Sequence, residues 1–264
     1  MKIGFIGCGN MAKALINGMV SSETVSPQDV IASDAYFPAL EKTHKELNIN
    51  ITSDNKEVVK SSKYIVLAVK PQFYTSVISE IKEFLTEESV IITLAPGKTI
   101  ADLENLFTLN TKIIRTMPNT PAMVGAGVTA ICKNSNVTEE ELKFTCSLFE
   151  SCGLVEVITE NLINAVISVS GSSPAYVFMM IEAMADGAVM NGLPRDKAYK
   201  FAAQALLGSA KMLLETNMHP GALKDMVCSP GGTTIQAVRT LEKTGFRSSI
   251  IEAMDACVEK AKQM

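Results

Sequence analysis

The chain has 264 residues, 47% of them hydrophobic and 20% charged, with a formal net charge of −4. That length suggests two domains on a scale of roughly 150 residues each. The acidic balance, with no run of basic residues, argues against a nucleic-acid partner, and six cysteines without a C-x-x-C pair argue against a disulfide framework or a metal centre.

Cys8, Cys132, Cys146, Cys152, Cys228 and Cys257 sit mostly in apolar patterns, as reduced thiols of a cytosolic protein do. The first strand begins at Lys2, leaving no room for a signal peptide, and no apolar run is expected to span a membrane, so a cytoplasmic protein is expected.

Residues 2–6 form a short apolar strand, followed by Gly7-Cys8-Gly9-Asn10-Met11-Ala12 and a helical pattern to Met19. This is G-x-G-x-x-A between strand and helix, the context in which it binds a dinucleotide. Gly7 permits the tight turn, Gly9 lets a pyrophosphate approach the backbone, and Ala12 keeps the helix close to the sheet. A second strand, residues 30–33, ends at Asp34. An acidic side chain there binds the adenosine ribose hydroxyls and repels a 2′-phosphate, which leans toward NAD; the alternative is a cap on the helix expected at 36–48. His44, on that helix, reads as a solvated surface residue.

Three further strands end in proline-containing turns: 64–69 in Lys70-Pro71, 90–94 in Ala95-Pro96-Gly97, and 113–117 in Pro118-Asn119-Thr120-Pro121. Ligands of open α/β sheets bind outside the carboxyl ends of strands, so these turns outline one shaped site. Residues 127–132, a helix over 138–151 and residues 154–158 complete the sheet. Beyond Ile158 the chain reads as helical: 162–168, 175–191, 195–215, 222–227, and 234 to the end with a break near Gly245. The segment 175–191 is apolar on nearly every face, so it should be buried all round, partly by a second subunit.

Between two of these helices lies Cys228-Ser229-Pro230-Gly231-Gly232-Thr233-Thr234. Pro230 stops the first helix, and the glycines allow a bend into the second, with Thr233 or Thr234 as its cap. Such a bend offers N–H groups and hydroxyls to a small anion such as a carboxylate; its alternative is a plain helix–helix turn.

Gly7 to Ala12, A-V-K-P at 68–71, M-P-N-T-P-A at 117–122, S-G-S-S-P-A-Y at 170–176, H-P-G-A-L-K-D at 219–225 and S-P-G-G-T-T at 229–234 together make the chain resemble pyrroline-5-carboxylate reductases over essentially its whole length. The resemblance implies an α/β fold, with an N-terminal Rossmann-type doubly wound sheet over 1–159 and an all-α dimerisation domain over 160–264 that also binds substrate. It implies reduction of a cyclic imine to L-proline by NADPH or NADH in a homodimer or higher homo-oligomer. Ile6, Gly7, Cys8, Gly9, Asn10 and Met11 would lie on the pyrophosphate, and Asp34 and Asn55 near the adenosine ribose. Ala68, Val69, Lys70 and Pro71, with Leu94, Ala95 and Pro96, would lie along the nicotinamide half. Glu160, Ser229, Gly231, Gly232, Thr233 and Thr234 would bind substrate, with Thr234 nearest the ring nitrogen as the catalytic residue.

The chain departs from the family pattern in three places. Asp34 stands where members that favour NADP carry a small or phosphate-tolerant residue, Pro96 replaces a common alanine, and Met226 occupies a position that is polar in some relatives. Two other readings differ in chemistry. A two-domain hydroxyacid dehydrogenase needs a lysine or histidine base from the helical domain, and neither residue occurs between Val155 and Asp196. His219, followed by Pro220, reads as a helix cap. A non-catalytic nicotinamide-binding sensor would not need the hydroxyls and glycines at 229–234.

Overall fold

The computed structural model describes residues 2–107 and 110–263. Contacts divide the chain into two compact units, one running to Ser172 and including the residues from Cys257 onward, the other Ser173–Ala256. The strand pattern alone sets a boundary after residue 159. Packing draws residues 160–172 to the sheet, because Ile163 and Ile167 are buried in one of its cores, as is Ala261 near the C-terminus.

The first unit is built from β1 (Ile3–Ile6), α1 (Asn10–Ser21), β2 (Val30–Ser33), α2 (Phe37–Leu47), β3 (Asn50–Thr52), α3 (Asn55–Ser61), β4 (Tyr64–Leu67), α4 (Tyr74–Ile81), β5 (Val90–Thr93), α5 (Ile100–Leu106), β6 (Lys112–Met117), β7 (Gly127–Lys133), α6 (Glu139–Glu150), β8 (Gly153–Val157) and α7 (Ile163–Val166). The eight strands form one sheet in the order β3-β2-β1-β4-β5-β6-β7-β8. Every pairing is parallel except β6 with β7. That exception follows from the short connection 118–126, since a parallel neighbour would need a crossover of a dozen residues or more.

All four residues of β1, β2, β4 and β5 are buried, which is why these strands read as unbroken apolar runs. Alternate side chains serve opposite faces: Ile3, Phe5, Val66 and Ile92 pack with Leu15, Ile16 and Phe149, while Ile6, Ile65, Leu67 and Ile91 pack with Val58, Ile78 and Leu103. Each such side chain contributes about 1.5–3 kcal/mol by leaving water.

The second unit carries α8 (Ser173–Met190), α9 (Arg195–Thr216), α10 (Pro220–Val227), α11 (Thr233–Lys243) and most of α12 (Phe246–Lys262). Helix α8, expected to be covered partly by a second subunit, is mostly exposed in the single chain. Among the described residues of α8 only Ala185 is buried, and Phe178, Met179 and Met190 are 62%, 68% and 87% exposed. The expected limit on apolar length fails. A π turn at Ile167–Gly171 directly follows α7, and the run Glu160–Met190 has an 18-residue window of mean hydropathy 1.3, long and apolar enough to cross a membrane by length and composition.

One ion cluster fastens α6 to the amino ends of the strands. Glu141 closes a capping box with Thr138, and its Oε1 accepts from Lys112 Nζ at 2.9 Å and lies 3.3 Å from Lys63 Nζ. Burial alone would raise its pKa. Hydrogen bonds from Lys112, the Thr138 backbone and Lys63 outweigh that and hold it at about 2, against an ordinary 4.5. A depressed folded pKa means that the stabilisation is complete above the unfolded value and is lost as pH falls toward the folded one. Glu141→Gln should therefore cost about 2 kcal/mol at pH 7, and the gap in melting temperature from wild type should close as pH falls from about 4.5 to about 2. A gap independent of pH over that range would contradict the assignment.

Candidate active site

β1 is flanked by β2 on one side and β4 on the other, and the strand order reverses there, so a crevice opens at the carboxyl ends of these strands. Gly7 occupies its floor. Its φ is +96°, its N–H donates to Ser33 O at 2.8 Å, and a Cβ built on it would stand 2.8 Å from the Ala68 carbonyl carbon. The turn can lie this close to the end of β4 only because position 7 has no side chain. Gly9 caps α1 with empty space before it. The first-turn N–H groups of Asn10, Met11 and Ala12 have no partner four residues back, and Ala12 is buried against the core. An open cradle at a helix N-terminus fits the pyrophosphate of a dinucleotide.

Asp34 ties the turn down from the other side. Its Oδ2 accepts from Cys8 N at 2.7 Å and its Oδ1 from Tyr36 N at 2.8 Å. The carboxylate thus braces both the glycine turn and the approach to α2, while still lining the crevice. The Cys8 side chain points inward, 3.4 Å from Thr43 Oγ1, and burial pushes its thiol pKa up; only its backbone faces the turn. Asn55 accepts from Ser33 Oγ at 2.7 Å and donates to Glu80 at 2.9 Å.

A pocket of about 420 Å³ brings together Ile6, Gly7, Gly9, Asp34, Asn55, Ala68, Val69 and Lys70 from the expected cofactor set. It adds Ala35, Phe73, Ser76 and Val77, which sequence reasoning missed although Phe73 to Val77 directly follow the Lys70-Pro71 turn. Cys8, Asn10, Met11, Pro71, Leu94, Ala95 and Pro96 lie outside this lining.

Beneath the turns runs a buried chain of hydrogen bonds. Leu67 O can only accept, so the Tyr74 hydroxyl donates to it at 2.8 Å and must accept from the Thr93 hydroxyl, also at 2.8 Å. Thr93 Oγ1 in turn accepts from Ala95 N at 3.3 Å. Burial pushes Tyr74 up to about 12, so the phenol keeps its proton and joins the ends of β4 and β5.

Glu160 is placed elsewhere in the same unit. It lines a separate depression of about 610 Å³ with Gly97, Lys98, Thr99, Asp102 and Arg115, and its carboxylate meets Arg115 at 2.7 Å.

In the second unit, Ser229 O accepts from Gly232 N at 3.0 Å. With Pro230 second and Gly231 third at φ +70°, residues 229–232 have the pattern of a type II turn. The expected threonine cap is corrected: Gly232 is the N-cap, in extended backbone and without a side-chain bond, and Thr233 and Thr234 are the first two helical residues. Gly232 suits the cap because a Cβ there would come 2.4 Å from Ser229 Oγ. The hydroxyls of Thr233 and Thr234 are therefore not used in capping, and their N–H groups belong to the open first turn of α11. His219 caps α10, its Nδ1 accepting from Gly221 N at 3.0 Å. His44 is exposed, with Nδ1 2.7 Å from Ile49 O.

Residues 160–264 match the family model described as pyrroline-5-carboxylate reductase dimerisation, and residues 2–97 match one described as NADP oxidoreductase, coenzyme F420-dependent. The pyrroline-5-carboxylate reductase of Escherichia coli (strain K12) is 51% identical over 266 residues, covering 100% of this chain and 98% of its own. The chain belongs to the pyrroline-5-carboxylate reductase family. Two solved members of that family have the same fold. The one from Coxiella burnetii superposes with a TM-score of 0.94 at 34% identity, covering 99% of this chain and 97% of its own. The Plasmodium falciparum pyrroline carboxylate reductase, solved with NADP bound, gives 0.90 at 33%, covering 100% and 97%.

Asp34 lines the pocket just beyond the end of β2. Among the described residues the cation of the pocket lining is Lys70, which follows β4, whereas Asp34 follows β2 with β1 between them, a lateral separation of about 10 Å. A 2′-phosphate near Asp34 would meet a carboxylate with no cation of the lining beside it, and like charges brought together cost several kcal/mol. Asp34→Ser should raise the ratio of NADPH to NADH affinity about tenfold or more. Titration of both nucleotides checks this, and an unchanged ratio would remove Asp34 from the ribose site.

Proposed function

We propose that this protein is an NAD(P)H-dependent oxidoreductase that reduces 1-pyrroline-5-carboxylate to L-proline, the last step of proline biosynthesis. The observation that carries this reading is full-length likeness at 51% identity to an enzyme of that name. The glycine turn, Asp34 and the ends of β1, β2 and β4 hold the dinucleotide. Ala68 to Pro71 and Leu94 to Pro96 lie along its nicotinamide half. Asp34 tilts the choice toward NADH, against the NADP seen in the Plasmodium enzyme.

The substrate is a five-membered imine bearing one carboxylate. Its nitrogen is basic enough to carry a proton near neutral pH, so the iminium carbon accepts hydride without a strong enzymic acid. The bound reduced nicotinamide supplies that hydride. The protein's task is then to hold the carboxylate and orient the ring. The Ser229 hydroxyl and the N–H groups of Thr233 and Thr234 suit the carboxylate, since the Gly232 N–H is already committed to Ser229 O. The Thr234 hydroxyl suits the ring nitrogen, fixing the face presented to the hydride. A hydroxyacid dehydrogenase would need a base in this role, and His219, the histidine of the helical segment, is committed to a cap.

The protein works as a homo-oligomer built from a dimer. The matched dimerisation model covers residues 160–264, and exposed Phe178, Met179, Phe201 and Leu214 form the apolar surface that a second copy would cover. That also accounts for the apolar run ending at Met190 without a membrane. Its partner is a small molecule with one carboxylate, not a nucleic acid. Free thiols at all six cysteines suit the reducing cytoplasm.

A spectrophotometric assay should show oxidation of NADH or NADPH that depends on the pyrroline carboxylate; no turnover with either would overturn the reductase reading. In the same assay Thr234→Ala should lower kcat at least about tenfold while leaving cofactor KM within about twofold. Equal loss in both, or none, would take Thr234 out of the mechanism.

A further inference from the structure

Glu160, expected to touch substrate, also holds a contact inside the first unit through one of its two carboxylate oxygens. Its Oε1 accepts two hydrogen bonds at 2.7 Å, one from Ile100 N and one from Arg115 Nη1. Arg115 lies on β6, in register with Thr93 of β5, and is 4% exposed. Ile100 opens α5 directly after Thr99, whose hydroxyl and N–H are closed in a capping box with Asp102. The segment from Leu94 to Thr99 is therefore fastened at both ends: Ala95 N–H is bound to Thr93 Oγ1 at one, and Ile100 N–H to Glu160 at the other. Between the two anchors the chain turns through Gly97 at φ +76°, where glycine leaves the backbone free to move unless its ends are held.

We infer that Glu160 is a positioning residue: anchored by Arg115, it fixes the turn after β5 so that Leu94, Ala95 and Pro96 meet the nicotinamide half of the cofactor. This rests on the proposed placement of those three residues along the nicotinamide. The physical reason is the cost of the alternative. Freeing Oε1 from the helix-opening N–H and the guanidinium would leave Arg115 as an uncompensated buried charge, so this oxygen stays on the turn. Arg115 acts one step further back, and its effect on the cofactor passes through Glu160.

The test separates the two halves of the nucleotide. Affinities of NADH and of ADP-ribose, which lacks the nicotinamide, are measured by calorimetry on wild type and Glu160→Ala as full chains, beside the KM for the pyrroline carboxylate. The inference predicts that the variant binds NADH about fivefold or more weakly and binds ADP-ribose as wild type does. Equal weakening of both ligands would show a merely structural role and overturn it. Unchanged NADH affinity with a raised imine KM would overturn it in favour of substrate contact. If Glu160→Ala does not fold, the double variant Glu160→Leu with Arg115→Met, which removes both charges together, carries the same comparison. Failure of the reductase reading would look different, since wild type itself would then not reduce the imine with either nucleotide.

Discussion

The first unit depends on a close approach of backbone to backbone at Gly7. There the end of β1 passes so near the end of β4 that a single added carbon would stand 2.8 Å from Ala68, and the same residue donates to Ser33 at the end of β2. Three strand ends are thereby gathered at one point, where the sheet changes direction. The neighbouring hydrogen bond from Cys8 N to Asp34 fixes the turn from the β2 side, and the first turn of α1 is left with unpaired N–H groups aimed out of the sheet. The pocket for a dinucleotide follows from this one constraint together with the parallel order of the strands.

Chemistry of this kind asks little of side chains as acids or bases. An iminium needs to be held and turned, so hydrogen-bond donors in rigid places matter more than a group tuned to neutral pH. The donors proposed for this are backbone N–H groups and threonine hydroxyls left out of capping because Gly232 takes the capping position. Polar groups also tie the strand ends together: the buried Tyr74 and Thr93 hydroxyls beneath the turns, and buried Arg115 on the partly exposed Glu160 behind the turn after β5. Each is satisfied by a named partner, as a buried polar group must be if it is to fix a position without destabilising the fold.

Much of this was legible in the sequence, for physical reasons. Parallel strands covered on both faces must be apolar throughout, so β1, β2, β4 and β5 declare themselves, and Gly7, Gly9 and Ala12 have distinct steric duties that few other residues could perform. The short polar strand β3, Asn50 to Thr52, carries no such signature because it lies at the sheet edge and none of its residues is buried. The capping box at Thr138 and Glu141 is local and readable, whereas the cap at Gly232 was misread because threonine and glycine cap helices about equally well and the local sequence does not choose between them. Tyr74, Thr93 and Arg115 were invisible for a third reason: their roles arise only when separate strands are brought side by side. Motif position could not reveal the two hydrogen-bond donors on Glu160 Oε1, Ile100 N and Arg115, because both come from distant stretches of the chain. The apolar faces of α8 were visible, but sequence alone did not show how little of them the chain itself covers.

The central claim is that the glycine turn at the end of β1 is the seat of the nicotinamide nucleotide. Calorimetric titration of NADH into wild type and Gly7→Ala, with circular dichroism confirming that the variant is folded, tests it most directly. A methyl group at a position with φ +96° and no room before Ala68 should reduce affinity about tenfold or more. A folded variant that binds NADH as tightly as wild type would contradict the account.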